Sequence, residues 1–533
     1  MTRTSAPRSM PLTAARYALN PAQWVSYRAR REPGRPAVTW SETTIGYAAL
    51  DAAARALSVQ LQEAGVGPGD RVAFLGENEQ GLLSTMLATW RLGATYVPVN
   101  YRLAIPELVT ILRDASPAAV VAGAGYADRL DPVRDQLSPV TWLSTVELGR
   151  APWLTVATEP GAAEPGTGEN DIWVGPQADD VAVIVYTSGT TGLPKGVMLS
   201  YSNLWWSVSN YVFATGGLEN DVNLVMGPMV LAGPLFTLLV TWSTGARVVS
   251  MQKFDAAAAL RAIEDYRVTV GGTSPLILRM LAEAPGFADA DLSSLRFLVV
   301  GGGPITPELL DVYASRGLMV SQGYSMSETT AVGVLLHSSM IREKLGSSGI
   351  PLPMVDRRVV RPDGTDAEVG ETGEILMRGP NVMLGYWHRP EETAAAIDPD
   401  GWLHSGDAGY LDADGYLFVV DRIKDMIISG GLNVYAAEVE RVLALQPEVA
   451  DVAVIGLPDE RYGEIVTALV VAEPGTHPSL DGLRAAARQS LAGYKLPRRL
   501  ELVDELPRNA TGKVVKQRIR KELNSRSGTG FAG

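Results

Sequence analysis

The chain has 533 residues, with 46 Lys and Arg against 59 Asp and Glu, which gives a formal net charge of −13 at neutral pH. Hydrophobic residues make up 46% and charged residues 20%, so the composition is that of a globular protein, and the length predicts several domains. The absence of cysteine excludes disulfides, thiolate metal sites and catalysis by an enzyme thiol. The acidic balance disfavours a nucleic-acid binder, because such proteins need clustered Lys and Arg.

Two segments bear on the location of the protein. The first thirty residues contain several arginines but no uninterrupted apolar stretch, so the sequence predicts a cytoplasmic protein without a secretory signal. Residues 224–246 carry no charge over a length that could cross a bilayer, but glycines and prolines interrupt them. This punctuation predicts a buried strand and helix beside an apolar cavity, and no membrane span.

The first 150 residues alternate helix-like and strand-like segments, which is typical of an α/β fold with parallel strands. Residues 157–180 have no such period and predict an exposed connection. Strands at 181–186 and 297–300 follow, and Thr306 and Pro307 are suited to begin a helix. The predicted helices of the first part span 47–64 and 81–92, and its strands 71–75 and 95–99.

The texture changes after about residue 373, where short strands with turn signals predict a small β-rich region. Beyond residue 427 the pattern predicts a separate small α+β domain. Its predicted helices span 436–445 and 483–491, and its strands 449–455 and 465–472.

The strongest local signal is the loop from Tyr186 to Gly196, which follows a buried strand and reads YTSGTTGLPKG. Its glycines let backbone N–H groups approach a polyphosphate, its hydroxyls donate hydrogen bonds, and Lys195 supplies charge. It is not a Walker A loop, because Gly196 rather than Ser or Thr follows Lys195. The alternative is an ordinary surface turn, which needs fewer such residues.

This loop and several later motifs, in order, resemble the AMP-forming adenylating enzymes, a family that includes acyl-CoA synthetases, adenylation domains of nonribosomal peptide synthetases and firefly luciferase. The resemblance extends from about residue 30 to residue 522. Its later motifs occupy residues 322–328, 372–374, 379–386, 401–407, 421–425, 429–435 and 507–513. It implies an α/β N-terminal domain with a small β-rich subdomain (1–421), a hinge (422–425) and a small mobile α+β C-terminal domain (426–533).

The resemblance implies a site for ATP and Mg²⁺. Glu328 and Thr187 would hold the cation through oxygen atoms, which a hard cation prefers. Tyr324 would stack on the adenine, and Asp407, assisted by Arg422, would accept hydrogen bonds from the ribose hydroxyls. The implied nucleotide-binding residues are Thr187, Ser188, Gly189, Thr190, Thr191, Gly192, Lys195, Gly302, Gly303, Pro304, Gly323, Tyr324, Ser325, Met326, Ser327, Asp407 and Arg422.

By the same resemblance, Lys513 serves the first chemical step. A carboxylate is already ionised at neutral pH, so its attack on the α-phosphorus needs charge neutralisation rather than a general base. The catalytic residues implied are therefore Lys513, Glu328 and Thr187. In the family the small domain then rotates, with Lys424 at the pivot position, and Gly430 and Gly431 match the channel for the CoA thiol arm. The alternative for these two glycines is a turn that needs positive φ.

An apolar acyl pocket is expected from the residues between 230 and 240 and between 331 and 335. No aspartate occurs between Leu224 and Ala246 to hold an ammonium group, so the pocket suits an aliphatic or aromatic acid rather than an amino acid. The pocket residues assigned are Val230, Leu231, Leu235, Gly323, Ala331 and Val332.

The sequence departs from the family pattern at a few positions. Val230 or Leu231 stands where many relatives have an aromatic gate, Leu432 where Glu is common, and Ala436 where Pro is usual. Ser325 and Ser327 replace Gly and Thr of the second motif. The first three departures leave the residues implied in ATP binding intact. They concern the identity of the acid and of the acceptor.

The sequence therefore predicts an AMP-forming acid:CoA ligase that uses ATP, Mg²⁺ and CoA and acts as a monomer or homodimer. Within the same fold, the alternative acceptors are a carrier-protein thiol, an amine, or nitrite activated for arylamine diazotisation. From another class, a catalytically silent adenylate-binding protein is disfavoured by the intact Glu328 and Lys513.

Overall fold

The computed structural model describes residues 19–40, 43–137, 139–148, 154–156, 173–187, 194–303, 305–509 and 512–526. The chain divides into two compact units. Unit 1 comprises Met1–Asp356 and Met377–Leu403, and unit 2 comprises Arg357–Leu376 and His404–Gly533. The domain and hinge boundaries predicted between residues 421 and 426 stay a prediction.

The helices are numbered here in chain order. In unit 1 they are α1 Pro21–Arg31, α2 Tyr47–Glu63, α3 Gln80–Arg91, α4 Ile105–Ala115, α5 Ala127–Arg134, α6 Tyr201–Thr215, α7 Ala232–Thr244, α8 Ala256–Asp265, α9 Pro275–Ala282, α10 Pro307–Ser315 and α11 Pro390–Ala396. In unit 2 they are α12 Ala436–Leu443, α13 Leu480–Ala487 and α14 Lys516–Arg526.

The strands are likewise numbered in chain order. The first half of the chain contains β1 Pro36–Trp40, β2 Thr43–Gly46, β3 Arg71–Leu75, β4 Thr95–Val99, β5 Ala119–Ala122, β6 Thr141–Ser144, β7 Leu154–Thr155, β8 Val181–Thr187, β9 Lys195–Ser200, β10 Val222–Val225, β11 Arg247–Ser250 and β12 Val270–Thr273. The second half contains β13 Phe297–Val300, β14 Val320–Tyr324, β15 Val334–Leu336, β16 Ile350–Pro351, β17 Asp356–Val360, β18 Gly373–Arg378, β19 Gly385–Tyr386, β20 Leu403–Leu411, β21 Leu417–Arg422, β22 Ile427–Ser429, β23 Leu432–Val434, β24 Val449–Asp459, β25 Gly463–Ala472 and β26 Arg499–Leu502.

Unit 1 contains two large mixed sheets. Among the described residues, one has the strand order β16-β15-β14-β13-β12-β10-β11-β1-β2, and its strands from β14 to β1 are parallel. The other has the order β19-β9-β8-β4-β3-β5-β6-β7, with antiparallel pairing only along β19, β9 and β8. Parallel strands end at a common edge of the sheet, so the loops after β10, β12, β13 and β14 lie side by side.

The core of unit 1 contains strands and helices that are apolar on more than one face. Helix α3 is buried from Gly81 to Arg91, as expected for a helix inside the core. Strand β8 is also buried through its centre and leads directly into the predicted phosphate loop. The end of β8 therefore stands on a rigid support.

Unit 2 contains an antiparallel sheet, β17-β18-β20-β21, and a second sheet, β23-β22-β25-β24, with β26 parallel to β25. Helices α12 and α13 pack their apolar residues in one core with this second sheet. Helix α14 packs through Ile519 and Leu523 in a neighbouring core with β24. This is the small α+β architecture predicted for the C-terminal part.

Most of the predicted elements are present, within one or two residues at their ends. Residues 224–246 form the end of β10 and helix α7, and among the described residues every helix is too short or too polar to cross a bilayer. The helix predicted at 483–491 lies at Leu480–Ala487, because the Ser479 side chain accepts a hydrogen bond from Gly482 N and caps the helix earlier. Lys195 and Gly196, predicted as loop, begin β9.

Candidate active site

The predicted phosphate loop is held at both ends by one hairpin. Thr187 ends β8 and is the direct strand partner of Lys195, which begins β9. The Thr187 hydroxyl lies 3.5 Å from the Lys195 carbonyl oxygen. Ser188, Gly189, Thr190, Thr191 and Gly192 lie outside the described residues.

Glu328 lies in a short 3₁₀ turn, Ser327–Thr329, just beyond β14. The turn is closed by Met326 N, which donates to Thr329 Oγ1 at 3.1 Å. Two non-glycine residues with left-handed backbone follow at once, Thr330 with φ of 53° and Ala331 with φ of 57°. Such a pair is uncommon and needs support from its surroundings.

The support comes from residues 380–383. Asn381 Nδ2 donates to Thr329 O at 3.2 Å and Val332 O at 2.8 Å, and Thr330 Oγ1 donates to Asn381 O at 2.7 Å. Met383 N donates to Glu328 O at 2.9 Å. The turn that carries Glu328 is thereby fixed to the segment that leads into β19.

Three side chains around Glu328 form a connected group. The Tyr386 hydroxyl donates to Glu328 Oε1 at 3.0 Å. The Lys195 ammonium lies 5.0 Å from the centre of the Tyr386 ring, and its Nζ is 2.5 Å from Glu392 Oε2. Both residues suggested as Mg²⁺ ligands thus contact or pair with members of this group.

A second polar group anchors the residue before Thr187. Tyr186 donates its hydroxyl to Asp114 Oδ2 at 2.7 Å, and Arg389 Nη2 lies 3.2 Å from Asp114 Oδ1. Trp387 Nε1 donates to Asp114 O at 3.0 Å. Burial raises the pKa of Tyr186 above its usual range, and the hydrogen bond to Asp114 acts in the same direction.

The residues expected to border the adenine lie at the shared edge of the nine-stranded sheet. Gly302 and Gly303 follow β13, and Gly302 has φ of 84°, which favours glycine. Tyr324 ends the neighbouring strand β14, while Ser325 is exposed and Met326 and Ser327 are partly buried. Pro304 lies outside the described residues.

The predicted acyl-pocket residues share one continuous hydrophobic cluster. Val230, Leu235 and Val332 are buried in it, and Leu231 and Ala331 pack against it. Gly323 is the strand partner of Leu335, which also packs against this cluster.

The loop that carries Val230 is fixed by Asn78. Asn78 Nδ2 lies 3.0 Å from both Gly227 O and Met251 O, and Met229 N donates to Asn78 Oδ1 at 2.8 Å. Asn78 carries no signal in the sequence, because its hydrogen-bond partners lie 149 to 173 residues further along the chain.

Asp407 and Arg422 of unit 2, the residues predicted for the ribose, lie beside each other. They are strand partners in β20 and β21, and Arg422 Nε lies 2.6 Å from Asp407 Oδ1. Asp407 is buried, with 5% of its surface exposed. Glu374 accepts from Gly406 N at 3.1 Å and lies 2.9 Å from His404 Nδ1, so it fixes the loop before Asp407.

The predicted hinge and channel residues follow β21. Lys424 lies in a 3₁₀ turn, Ile423–Asp425, and desolvation lowers its pKa while Asp425 opposes the change. Gly430 and Gly431 form the two-residue turn between β22 and β23, with φ of 62° and 78°. Both therefore need a residue that tolerates positive φ, as the turn alternative requires.

Lys513 lies in an exposed loop immediately before α14. Asn509 N donates to Lys513 O at 2.8 Å, and Lys513 N donates to Asn509 Oδ1 at 3.0 Å. Helix α14 is tied down by Lys516 Nζ, 2.8 Å from Glu440 Oε1 on α12. Thr511 lies outside the described residues.

The donor set fits magnesium bound together with ATP phosphates. Glu328 and Thr187 offer the oxygen atoms that a hard cation prefers. Glu328 Oε2 accepts no hydrogen bond from any described residue, whereas Oε1 is engaged by Tyr386. In the described part of the chain no three acidic or histidine side chains converge as a metal site made by protein alone.

Comparison with sequence families identifies the chain. The family described as AMP-binding enzyme matches residues 25–387, and its C-terminal domain matches residues 438–513. The chain belongs to the AMP-binding enzyme family. Feruloyl-CoA synthase of Amycolatopsis sp is 41% identical over 501 residues, 94% of this chain and 98% of that protein. Long-chain-fatty-acid–CoA ligase FadD13 of Mycobacterium tuberculosis is 36% identical, over 91% of this chain and 94% of that one.

Solved structures of similar sequence support the same family assignment. o-Succinylbenzoate CoA synthetase (MenE) from Bacillus subtilis, in complex with its acyl-adenylate intermediate, matches with a TM-score of 0.83 and 32% identity, over 96% of this chain and 98% of that one. The amide bond synthetase McbA from Marinactinospora thermotolerans matches with a TM-score of 0.84 and 33% identity, over 95% and 99% of the two chains.

These comparisons confirm the resemblance, the α/β fold with large and small domains, the acid:CoA ligase class and the use of ATP, Mg²⁺ and CoA. The individual site residues stay predictions. Asn78, Asn381 and Glu392 were not predicted as site residues, and Tyr386 had no predicted role although it ends one of the family motifs.

Proposed function

We propose that the chain joins an apolar carboxylic acid to CoA through an acyl-adenylate, with release of AMP and pyrophosphate. The observation that carries this proposal is the arrangement around Glu328. Its turn stands between the phosphate-loop hairpin, reached through Tyr386 and Lys195, and the apolar cluster, against which Met326 and Ala331 pack on either side of the turn. Such an arrangement suits bringing an acid to the α-phosphorus of ATP.

In the first step the acid carboxylate attacks the α-phosphorus and pyrophosphate leaves. Tyr324, Gly302 and Gly303 would border the adenine. Asp407 would accept hydrogen bonds from the ribose hydroxyls, assisted by Arg422. Lys513 neutralises charge that develops on the α-phosphoryl oxygens. Glu328 and Thr187 would hold magnesium, which would neutralise charge on the ATP phosphates.

In the second step the CoA thiol attacks the acyl-adenylate carbonyl and AMP leaves. Rotation about Lys424 would withdraw Lys513, and the turn at Gly430 and Gly431 would admit the thiol arm. A cytoplasmic location and a monomeric or homodimeric state belong to the same proposal.

The acid is proposed to be a hydrophobic aryl or alkyl monocarboxylate. Val230, Leu231 and Ala331 present only hydrocarbon to the predicted pocket, and no carboxylate lies in residues 224–246 to pair with an ammonium. The relatives named above include an enzyme for an aryl acid and one for a fatty acid.

The decisive test measures AMP release with ferulate, a long-chain fatty acid and an amino acid, each with and without CoA. We expect release that depends on both CoA and one of the first two acids. Acid-dependent exchange of labelled pyrophosphate into ATP reports the first step alone. Glu328→Gln should abolish exchange, whereas Glu308→Gln, an exposed glutamate on α10, should not.

A second candidate acceptor is an amine, which the similarity to an amide bond synthetase favours. If pyrophosphate exchange proceeds but CoA leaves AMP release unchanged while an amine accelerates it, the CoA proposal is wrong. A carrier-protein thiol or nitrite is tested in the same assay by replacing CoA.

A further inference from the structure

We infer that Tyr386 and Lys195 are positioning residues for the magnesium ligand Glu328, and that Glu392 keeps Lys195 in this role. Lys195 would then be a brace of the site rather than a contact to the ATP phosphates. The inference rests on the proposed function, because Glu328 is taken as the ligand of the ATP-bound cation.

The first link is the hydrogen bond from the Tyr386 hydroxyl to Glu328 Oε1, at 3.0 Å. A glutamate side chain has several rotatable bonds, and a cation gains affinity when its ligand is already oriented. Tyr386 is itself fixed, because it pairs with Val197 in the sheet and its N–H donates to Thr393 Oγ1 at 2.9 Å. The hydroxyl therefore holds one carboxylate oxygen and leaves Oε2 for a cation.

The second link is the position of Lys195 over the Tyr386 ring. Its ammonium is 5.0 Å from the ring centre, within the range of a cation–π contact. The same residue pairs with Thr187 across the hairpin. Lys195 thus joins the strand that ends in one suggested metal ligand to the tyrosine that orients the other.

The third link is the ion pair with Glu392, whose Oε2 is 2.5 Å from Lys195 Nζ. The Lys195 side chain is only 18% exposed, and Glu392 lies on α11, which begins four residues after Tyr386. The positive charge of Lys195 is therefore already paired with a carboxylate, that of Glu392, whose side chain is 38% exposed. A lysine paired in this way is poorly suited to bind phosphate, but well suited to hold the aromatic ring.

The test compares nucleotide binding by calorimetry with and without the cation, in the absence of acid. Three Kd values are measured: ATP with saturating Mg²⁺, ATP in EDTA, and AMP in EDTA. Mg²⁺ is expected to lower the Kd for ATP, and we expect this effect to be about tenfold smaller in Tyr386→Phe than in the wild type. Loss of a hydrogen bond to a charged group has about this size. Both values in EDTA should stay within about twofold.

The matched control is Tyr126→Phe. Tyr126 also donates its hydroxyl to a glutamate at 3.0 Å, Glu77 Oε1, and it lies in the same unit outside the motifs. This variant should bind all three nucleotide forms like the wild type. If Tyr386→Phe leaves the Mg²⁺ effect unchanged, or weakens all three forms equally, the positioning role is wrong.

Lys195 and Glu392 separate a brace from a phosphate ligand. If Lys195 is a brace, Lys195→Gln binds ATP in EDTA like the wild type but loses part of the gain in ATP affinity that Mg²⁺ provides. Glu392→Gln should reduce this gain as well. If Lys195 contacts phosphate, Lys195→Gln lowers the affinity for ATP in EDTA. Glu392→Gln then releases the lysine and raises that affinity. That second pattern would overturn the inference.

Thermal unfolding of each variant shows whether it folds, and the conservative Tyr386→Phe keeps the test valid if a charge variant does not. The binding measurements need no acid, so they are independent of the exchange assay. Failure of the wild type to form any adenylate in the exchange assay would refute the proposed function without deciding this inference.

Discussion

Replacing Asn78 by alanine should loosen the loop that carries Val230 without touching the residues assigned to the nucleotide. The side chain of Asn78 is 5% exposed. It donates to Gly227 O and Met251 O and accepts from Met229 N, at 2.8 to 3.0 Å, and its Nδ2 has a longer contact of 3.3 Å with Ser250 Oγ. Alanine keeps the backbone and removes the three short hydrogen bonds together with the longer contact to Ser250.

The expected size of the effect follows from these bonds. A hydrogen bond of this kind contributes about 1 kcal/mol net, so three of them amount to about 3 kcal/mol of unfolding free energy. Buried partners left without a hydrogen bond add to the loss. Since the loop leads into the predicted acyl pocket, we also expect KM for the acid to rise about tenfold, while KM for ATP stays within about twofold.

Two measurements check the prediction, urea unfolding and steady-state kinetics with acid and ATP varied separately. Asn20→Ala is the matched control, because Asn20 is also fully buried and bonds to Trp90 O and Ala22 N in another part of unit 1. It should lose about 2 kcal/mol with both KM values unchanged. Equal rises in the two KM values for Asn78→Ala, or none, would refute the reasoning.

Three further predictions concern unit 2. Lys513→Ala should abolish pyrophosphate exchange, a loss of about 3 kcal/mol or more in transition-state stabilisation, yet spare thioester formation from supplied acyl-adenylate; equal loss in both assays would contradict its role. Lys424→Pro should let adenylate accumulate, since φ is locked; normal overall turnover would exclude the hinge. Gly431→Trp should block thioester formation while Gly431→Asn, which tolerates positive φ, should not; if both variants only lower the melting temperature, the glycine serves the turn and not a channel.

Sequence motifs predicted candidate residues for the chemistry, but they did not predict the residues that hold those candidates in place. Thr187, Glu328 and Asp407 belong to short runs with distinctive composition. Thr187 ends β8, Glu328 lies in the turn after β14, and Asp407 lies within β20. The partners that orient them do not stand out in this way. Tyr386 reads as an ordinary aromatic residue and Glu392 as a solvated carboxylate, because their roles depend on which strands and helices meet.

The secondary structure was predictable where local chemistry decides it. Strand β4 and the helix cap at Thr306 lie where expected, since a continuous apolar run and an N-cap residue are local signals. The order of strands within the two large sheets was not predicted, because it depends on pairings between distant segments. The same holds for β9, whose first residues were expected to belong to the loop.

The left-handed pair Thr330 and Ala331 sets a limit on how the pocket can be re-engineered. A library that enlarges or reshapes the acid site at Ala331 must choose side chains that also accept positive φ, and most bulky residues do not. Leu231, with φ of −98°, carries no such restriction. Changes in acid preference are therefore expected to arise more readily at the loop after β10 than beside Glu328, where an altered backbone would also displace the proposed metal ligand.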